Sequence, residues 1–197
     1  MIPTRSEDAQ SARERAAALL MQAGALSALS REDALRVVAY MQPHRARAGA
    51  VLLQAGAADD NYSMSLVVSG EVTVETMGHG DGLVVSVLGP GSLIGEMGLI
   101  DRGMRSATCT AATDLALAVL TRQALQRMIE QEPAVAARLL LVMSKHIADH
   151  LREANRKLHA LACVGAALQQ ELDAVHAVNR RLLDQLDTKQ SAAAKLA

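Results

Sequence analysis

The C-terminal third of the chain carries a long heptad pattern, which limits how the chain can fold more than any other feature. From about Ala134 to Leu186 no residue convincingly breaks a helix, and one stripe of positions recurs at alternating spacings of four and three. This spacing predicts the a and d positions of a coiled coil that is longer than a domain of this size could cover. These positions are Ile147, Leu151, Ala154, Leu158, Leu161, Gly165, Leu168, Leu172, Val175, Asn179, Leu182 and Leu186.

Two residues in this stripe bear on what pairs with the helix. Asn179 occupies an a position, where a buried amide favours a like residue across a symmetric, parallel two-stranded interface. Gly165 lowers helix propensity, so it marks a hinge, a close helix crossing, or a hairpin that folds residues 166–190 back on the preceding helix. A shorter stripe would simply cover its own domain, but this length favours a homodimer. The predicted dimer contacts are Ile147, Leu151, Leu158, Leu161, Leu168, Leu172, Leu182 and Leu186.

Upstream, the period changes from that of helices to that of short strands. Apolar runs at 51–53, 64–68, 72–74, 83–88, 107–110 and 115–120 are separated by turn residues, which is typical of a small antiparallel sandwich or barrel. Helices are predicted around these strands, over 6–23, from Ser30 to Met41, from Arg122 to Glu130 after a Thr121 cap, and from Pro133 onward. The segment 78–82 is predicted to be a flexible hairpin tip.

Composition excludes several classes of protein. The chain has no Trp, no Phe and two Tyr, and half of its residues are apolar, so the core must be aliphatic and aromatic stacking platforms for nucleic acid are not expected. A net charge of −1 gives no basic footprint for duplex DNA. No apolar stretch is long enough to span a bilayer, and the polar N-terminus does not resemble a signal peptide, so we expect a cytoplasmic protein without membrane attachment.

The two cysteines, Cys109 and Cys163, lie in unrelated contexts and are too few for a cysteine-ligated cluster or zinc site. We therefore expect free thiols, no metal site and no cofactor. No Ser-His-Asp, Cys-His or paired-carboxylate arrangement can be placed around a pocket, so we do not expect an enzyme.

The run GEMGLIDRGMRSATCTA, residues 95–111, has the residues of an anion cradle. Glycines such as Gly95 and Gly98 let backbone N–H groups approach a ligand, and Arg105 offers a planar, permanently charged fork for phosphate oxygens. Ser106 adds a hydroxyl. Glu96 would repel a phosphate but is a strong acceptor for a ribose hydroxyl, so the run implies a sugar and a phosphate together. The simpler alternative is a surface ion pair between Glu96 and Arg105.

This run resembles the phosphate-binding cassette of the cyclic nucleotide-binding domain, which is found in bacterial catabolite activators, protein kinase A regulatory subunits and cyclic nucleotide-gated channels. The resemblance extends from about Leu26 to about Leu151. It implies that Glu96 holds the ribose 2′-hydroxyl, that Arg105 holds the cyclic phosphate, and that Ser106 adds phosphate contacts. The implied ligand-binding residues are Gly95, Glu96, Met97, Gly98, Arg105, Ser106, Ala107, Val85 and His150.

The resemblance also implies an α+β fold: a jelly-roll-like β-roll, or double-stranded β-helix, flanked by helices, with a long C-terminal coiled-coil helix. The helix after the β-roll would close over the base and place His146, His150 and Leu151 near the purine, above a floor of Val85 and Met97. Catabolite activators usually offer a Thr-Ser pair where this chain has His150-Leu151. The base therefore stays open among cAMP, which we expect first, cGMP and cyclic di-GMP, and the alternative for both histidines is solvated helix surface.

The tail beyond Leu161 shows heptads and mixed charges, without the pattern of the winged helix–turn–helix that follows this domain in related transcription factors. We therefore expect no DNA binding. The predicted organisation is an N-terminal helix (1–25), a nucleotide-binding β-roll (26–132), a dimerisation helix (133–190) and a disordered tail (191–197). The predicted function is a dimeric cyclic nucleotide sensor that signals to an unidentified protein partner. The alternatives are a nucleotide-free scaffolding dimer, or a DNA-independent relative of the catabolite activators that acts on a partner regulator.

Overall fold

The computed structural model describes residues 5–22, 28–57, 62–76 and 83–194, with side chains for 10–22, 28–57, 62–75 and 86–181. Its helices and strands are α1 (Arg5–Gln22), α2 (Arg31–Tyr40), β1 (Gln42–Ala46), β2 (Val51–Leu53), β3 (Ser63–Ser69), β4 (Val72–Thr76), β5 (Leu83–Leu88), β6 (Leu93–Ile94), α3 (Glu96–Asp101), β7 (Thr108–Ala111), β8 (Leu115–Thr121), α4 (Arg122–Gln131) and α5 (Pro133–Ala194). The chain divides into two compact units, residues 1–149 and 150–197.

The strands form two four-stranded antiparallel sheets, ordered β1-β8-β3-β6 and β2-β7-β4-β5. Strands that are distant in sequence lie side by side in both sheets, which is the arrangement of a jelly roll. With helices on one side, the first unit has the α+β architecture predicted from the sequence. The strand predictions from 51 to 120 are confirmed to within a few residues, and the predicted hairpin tip at 78–82 lies outside the described residues.

Two apolar clusters hold the first unit together. The larger one joins α1, α2, α4 and the start of α5 to the face of β3 and β8 that carries Met64, Leu66 and Leu120. The smaller one lies between the sheets and includes Val67, Val72, Ile94, Cys109, Ala111, Leu115 and Leu117. Neighbouring residues of β3 such as Leu66 and Val67 therefore pack into different clusters, because successive strand side chains point to opposite faces. The buried members of both described clusters are aliphatic or sulfur-containing side chains, as composition predicted, and Tyr40 packs partly buried against the larger cluster.

The helix ends follow their sequence signals. Ser30 accepts a bond from the Asp33 amide at 3.1 Å, and Thr121 accepts one from the Ala124 amide at 3.2 Å. Both hydroxyls therefore satisfy N–H groups that the first helical turn leaves unpaired. A carboxylate–guanidinium pair then fixes α5 to α2: Arg138 donates to the two oxygens of Asp33 at 2.8 and 2.7 Å.

Helix α5 is 62 residues long and passes through Gly165 without interruption. The hairpin alternative at Gly165 is therefore not the arrangement seen here. The helix continues to Ala194, so the tail predicted to be disordered from residue 191 begins with helical residues. Within the described ranges, no helix combines the length and the hydropathy that crossing a bilayer requires.

Candidate functional site

The cassette run, residues 95–111, folds as a short helix, a loop and a strand. Gly95 has φ +77° and caps α3, and Arg102 with φ +58° ends it. A positive φ is readily adopted by glycine and costs other residues strain, which explains Gly95 at the first turn. The loop from 102 to 107 then leads into β7. The sequence predicted a glycine-rich turn here, and the six-residue helix α3 was missed.

Arg105 is the buried centre of this cassette. It is 6% exposed, and its guanidinium donates to the carbonyl oxygens of Gly95 at 3.0 Å and Ser63 at 3.3 Å. The ring of Tyr62 lies 6.0 Å from the Arg105 Cζ, at the outer range of a cation–π contact. These contacts join the cassette to the start of β3 and hold the planar fork in one orientation.

The glycines of the cassette make room for Arg105. A Cβ on Gly98 would lie 2.6 Å from the Arg105 Nη1, and a Cβ on Gly95 would lie 2.9 Å from the same atom and 2.7 Å from the Ser63 carbonyl oxygen. Ordinary side chains do not tolerate such distances. The Gly-x-x-Gly spacing therefore accommodates a buried guanidinium, a packing role that the sequence reasoning did not assign.

Backbone hydrogen bonds align the cassette loop with the turn after β2. Gly56 donates its N–H to the Arg105 carbonyl at 2.8 Å, and the Arg105 amide donates to the Ala57 carbonyl at 3.3 Å. Next to this pair, the Ala55 amide donates to the Thr108 hydroxyl at 3.1 Å. Arg105 is thus fixed through its backbone as well as through its head group, which limits where the charge can move.

Glu96 begins α3 and is half-buried. One of its carboxylate oxygens and a ring nitrogen of His146, on α5, lie within 4.8 Å of each other. The acceptor predicted for a ribose hydroxyl therefore lies beside the helix that follows the β-roll. The cassette therefore lies next to α5 within the first unit.

The other predicted ligand residues are spread more widely. Met97 is 47% exposed, Ser106 is exposed and Ala107 is half-buried. Val85 lies in β5 where the register with β4 shifts, and its side chain is outside the described residues. His150 and Leu151 are exposed residues of the second unit. The structure thus brings Gly95, Gly98 and Arg105 into contact, while the ligand-binding roles of all the predicted residues, Val85, His150 and Leu151 included, remain predictions.

Cys109, on β7, is a buried thiol close to these groups. Burial raises its pKa to about 11, the negative charge of Glu96 adds to this increase, and the positive charge of Arg105 opposes it. The thiol is therefore protonated near neutral pH. Because both charges act on Cys109, the acid and the base of the cassette lie around the same end of β7.

Arg122 is a residue of this region that the sequence reasoning did not single out. Its Nη1 donates to the carbonyl oxygens of Leu99 at 2.5 Å and Ile100 at 3.0 Å, which are in the last turn of α3. Its own amide donates to the Tyr62 carbonyl at 2.9 Å. Arg122, the first residue of α4, thus connects α4 to the C-terminal turn of α3. A basic residue directly after a helix cap gives no specific signal for this role.

A cavity of about 490 Å³ opens between the sheets, lined by residues of β1, β2, β3, β6 and β8. Its volume lies within the usual range for small-molecule pockets. It meets the surroundings of the cassette at Leu53 and Ser63, the residues that approach Gly95, but Gly95, Glu96 and Arg105 do not line it. The cavity is therefore a neighbour of the cassette and does not by itself define the ligand's position.

Comparisons with known proteins agree with this fold. Residues 43–132 match the cyclic nucleotide-binding domain family. The chain is 36% identical over 105 residues to the cyclic AMP receptor protein of Thermus thermophilus. The matched stretch makes up 53% of this chain and 47% of that protein. The chain spans about half the length of the curated relatives it matches.

Two solved structures have the same fold. A cyclic nucleotide-binding domain from Methylobacillus flagellatus is 27% identical, covers 74% of this chain and 81% of its own, and has a TM-score of 0.64. The regulatory domain of Toxoplasma gondii PKA, co-crystallised with cAMP, is 29% identical, covers 59% of this chain and 44% of its own, and has a TM-score of 0.53. The β-roll with its Arg105-centred cassette is a cyclic nucleotide-binding domain, and its relatives include regulators of the catabolite activator type.

Proposed function

We propose that this chain is a cytoplasmic cyclic nucleotide sensor, with cAMP as its expected ligand and cGMP as the second candidate. In this proposal two copies join through the C-terminal helix, and the pair acts on a protein partner. Under the predicted domain organisation, the β-roll receives the ligand, and the helix beyond residue 133 carries the response.

The observation that carries the ligand assignment is the buried, oriented guanidinium of Arg105. Carbonyl oxygens hold the fork from one side, and two glycines lie against it where any Cβ would displace it. A planar cation with fixed N–H directions suits the two-point recognition of phosphate oxygens. Glu96, at the start of the adjacent helix, supplies the acceptor that a ribose hydroxyl needs.

The relatives support cAMP as the first ligand to test. The regulatory domain of Toxoplasma gondii PKA was crystallised with cAMP, and the Thermus thermophilus relative is a cyclic AMP receptor protein. Both share the β-roll, which is the part of this chain that contains Arg105 and Glu96. The transfer of the ligand to this chain rests on these two residues.

The pairing of two copies rests on the a/d stripe. Leu151, Leu158, Leu161, Leu168 and Leu172 are all exposed in the single chain. A helix of 62 residues with an exposed leucine stripe buries substantial apolar surface when it meets a second copy in register. The side chains of Leu182 and Leu186, also predicted in this interface, lie outside the described residues.

The proposed mechanism links the cassette to α5 through residues of the first unit. Arg105 binds the cyclic phosphate, Glu96 accepts from the ribose, and His146, beside Glu96, responds to the occupied site. Arg122 connects the end of α3 to α4, which precedes α5. Ligand binding then favours one arrangement of the helices over another, by as much as the ligand's affinity differs between the two.

Calorimetric titration with cAMP and with cGMP tests the assignment. Arg105→Ala is expected to weaken binding about a hundredfold, because at least two charge-assisted hydrogen bonds are lost. The matched control is Arg102→Ala, an exposed arginine of the same loop, which we expect to bind like wild type. Binding of neither nucleotide, or equal affinity in wild type and Arg105→Ala, would overturn the proposal; the former result would favour the scaffolding dimer.

A second titration tests the role of Glu96. Wild type should prefer cAMP over its 2′-deoxy analogue, and Glu96→Ala should bind the two with similar affinity. A preference for cAMP that survives Glu96→Ala unchanged would remove the carboxylate from ribose recognition while leaving the Arg105 assignment intact.

A further inference from the structure

Two histidines of helix α5, His146 and His150, stand four residues apart. The helix is continuous from Pro133 to Ala194, so residues at this spacing lie on one face of it, one turn from each other. Metalloprotease helices present two histidines to a zinc ion at the same spacing. His146 is half-buried and His150 is exposed. The pair therefore offers two nitrogen ligands from a single helix, at a place that an ion can reach from solvent.

Within the first unit, the cassette adds an oxygen ligand beside the first of these histidines. A carboxylate oxygen of Glu96 and a ring nitrogen of His146 lie within 4.8 Å of each other, and both residues are half-buried. The ligand atoms of a tetrahedral zinc ion, with bonds of about 2.0–2.1 Å, are about 3.4 Å apart. A movement of about 1.4 Å at most therefore brings this oxygen and this nitrogen onto one ion, and side-chain rotation provides such a movement.

The chemistry of these ligands selects the kind of metal. Imidazole nitrogens suit zinc and the neighbouring divalent transition metals, whereas calcium and magnesium are bound by oxygen ligands. Two histidines and one glutamate form a known zinc ligand set, in which water takes the fourth position of the tetrahedron. The sequence-based expectation of no metal site rested on the two cysteines, and this ligand set contains neither of them.

We propose that His146 and His150 of α5, together with Glu96, bind a divalent transition-metal ion such as Zn²⁺. The proposal stands on the spacing of the two histidines along one helix and on the distance between Glu96 and His146 in the first unit. Neither observation depends on the proposed nucleotide function. The metal site can therefore be tested in the absence of any nucleotide.

One consequence of this site does rest on the proposed nucleotide function. Glu96 is the carboxylate that accepts the ribose hydroxyl in that proposal, and a bound ion takes an oxygen of the same group. Zn²⁺ and the cyclic nucleotide therefore compete for Glu96. By thermodynamic reciprocity, each must weaken the binding of the other by the same factor. The metal then acts as an inhibitor of nucleotide sensing.

Calorimetric titration of the full chain with Zn²⁺, without nucleotide, tests the metal site. The protein carries Cys163→Ser, because the exposed Cys163 thiol is itself a potential zinc ligand. This background protein should bind one Zn²⁺ per chain. His146→Ala and His150→Ala should each lower the Zn²⁺ affinity about tenfold or more, since even the loss of a residue that only supports a metal ligand has an effect of that size.

His176→Ala is the matched control, because His176 is an exposed histidine of the same helix with Leu172 and Arg180 one turn away on either side. It should bind Zn²⁺ like the background protein. Co²⁺ gives a second readout: the background protein should show the visible absorption of tetrahedral Co²⁺, and Glu96→Gln should change that spectrum. Thermal unfolding without metal should be similar in all these proteins, which separates a loss of affinity from a loss of fold.

Three results would overturn the metal site. They are no Zn²⁺ binding by the background protein, an affinity that survives either His146→Ala or His150→Ala, and an equal loss in His176→Ala. A Co²⁺ spectrum that is unchanged by Glu96→Gln would remove the carboxylate from the ligand set and overturn the proposal as stated.

A titration with cAMP, in the presence and absence of Zn²⁺, tests the competition. Zn²⁺ should weaken cAMP binding by the background protein about fivefold or more, and this ratio of affinities should return to one in His146→Ala and His150→Ala. Zn²⁺ binding that leaves the cAMP affinity unchanged would overturn the competition. A chain that binds Zn²⁺ but no cyclic nucleotide would support the metal site and overturn the proposed function, so the two failures are distinguishable.

Discussion

The two units of the chain use the same kind of side chain in opposite ways, and helix α5 shows this within one element. Leu139, in the first unit, is completely buried, whereas Leu168, in the second, is 61% exposed. The first unit has two apolar clusters of its own, and the described side chains of the second unit are exposed throughout. The first unit thus contains the interactions that fold it, while the described leucines of the second unit are exposed in the single chain.

Truncation of the two leucines should separate these roles. Leu139→Ala should lower the free energy of unfolding of the first unit by about 2–5 kcal/mol, because it leaves a cavity in the larger cluster. Leu168→Ala should change that free energy little and should weaken association between chains. Denaturant unfolding at several chain concentrations measures both effects.

Leu141→Ala is the control for helix propensity, since Leu141 is exposed on the same helix. It should alter neither the stability of the first unit nor the association. Equal losses for Leu139→Ala and Leu141→Ala would contradict the assignment of the first core. A concentration-independent loss in Leu168→Ala would contradict the role of the second unit.

Each unit also has one helical glycine that permits a matched test. Gly98→Ala places a Cβ against the buried Arg105 guanidinium, so we expect cAMP affinity to fall about tenfold or more while stability changes little. At Gly165 a Cβ meets nothing within 4 Å, and Gly165→Ala should strengthen the helix by about 1 kcal/mol without changing affinity. Calorimetry and thermal unfolding of both variants give the two readouts.

The result that would contradict this view is a Gly98→Ala protein that binds cAMP like wild type, because the guanidinium would then tolerate displacement. Reduced affinity in Gly165→Ala, measured at a concentration where the variant and wild type associate equally, would show that residue 165 influences the ligand site by a route other than association.

The ion pairs of the two units should also contribute differently to stability, with the larger contribution in the first unit. Asp33 is nearly buried, and its hydrogen bond from Arg138 holds its pKa below the ordinary value of 3.8. The folded state therefore gains stability from the ionised carboxylate above that pKa and loses it as the pH falls toward the lowered value. Asp33→Asn should cost about 1–3 kcal/mol at neutral pH, a difference that shrinks below about pH 4.

The exposed pair of Glu153 and Arg156 provides the comparison in the second unit. Glu153→Gln should change the unfolding free energy of the first unit negligibly at any pH, as surface pairs contribute little. Urea titrations at pH 3 to 7 test both variants. A difference between wild type and Asp33→Asn that grows as the pH falls would have the wrong sign for this account.

The smallest expected effect is a difference in thiol reactivity between the two cysteines, one of which lies in each unit. Cys109 is buried with its pKa raised to about 11, and Cys163 is exposed. At pH 8 a thiol reagent should modify one cysteine rapidly in the native protein and two after unfolding, and Cys163→Ser should abolish the rapid phase. Rapid native modification of Cys109 would show that the cassette opens to solvent.

The difference between the units also explains what the sequence could predict. Strands such as β3 and β8 alternate apolar side chains toward buried faces, and the heptads of α5 give a long continuous signal, so both were found. β1 was missed because Pro43, His44 and Arg45 lie exposed at a sheet edge, where the apolar pattern disappears.

The sequence predicts which residue types form the site, but it does not predict which distant residues pack against them. The resemblance singled out Glu96 and Arg105 from one contiguous run, whereas the contacts of Arg105 with Tyr62 and Ser63 join positions more than forty residues apart. No local pattern encodes such contacts. An arginine in a polar, glycine-containing loop also gives no sign that it is buried.

The affinity for cAMP, measured at two chain concentrations, tests the link between the two units. By thermodynamic reciprocity, if cAMP favours one helical arrangement of the pair, association of chains must alter cAMP affinity by the same factor. We expect affinities above and below the association midpoint to differ about fivefold or more in wild type, and to be equal in a Leu168→Ala variant that no longer associates. Equal affinities at both concentrations in wild type would contradict the account, because the cassette and the coiled coil would then act independently.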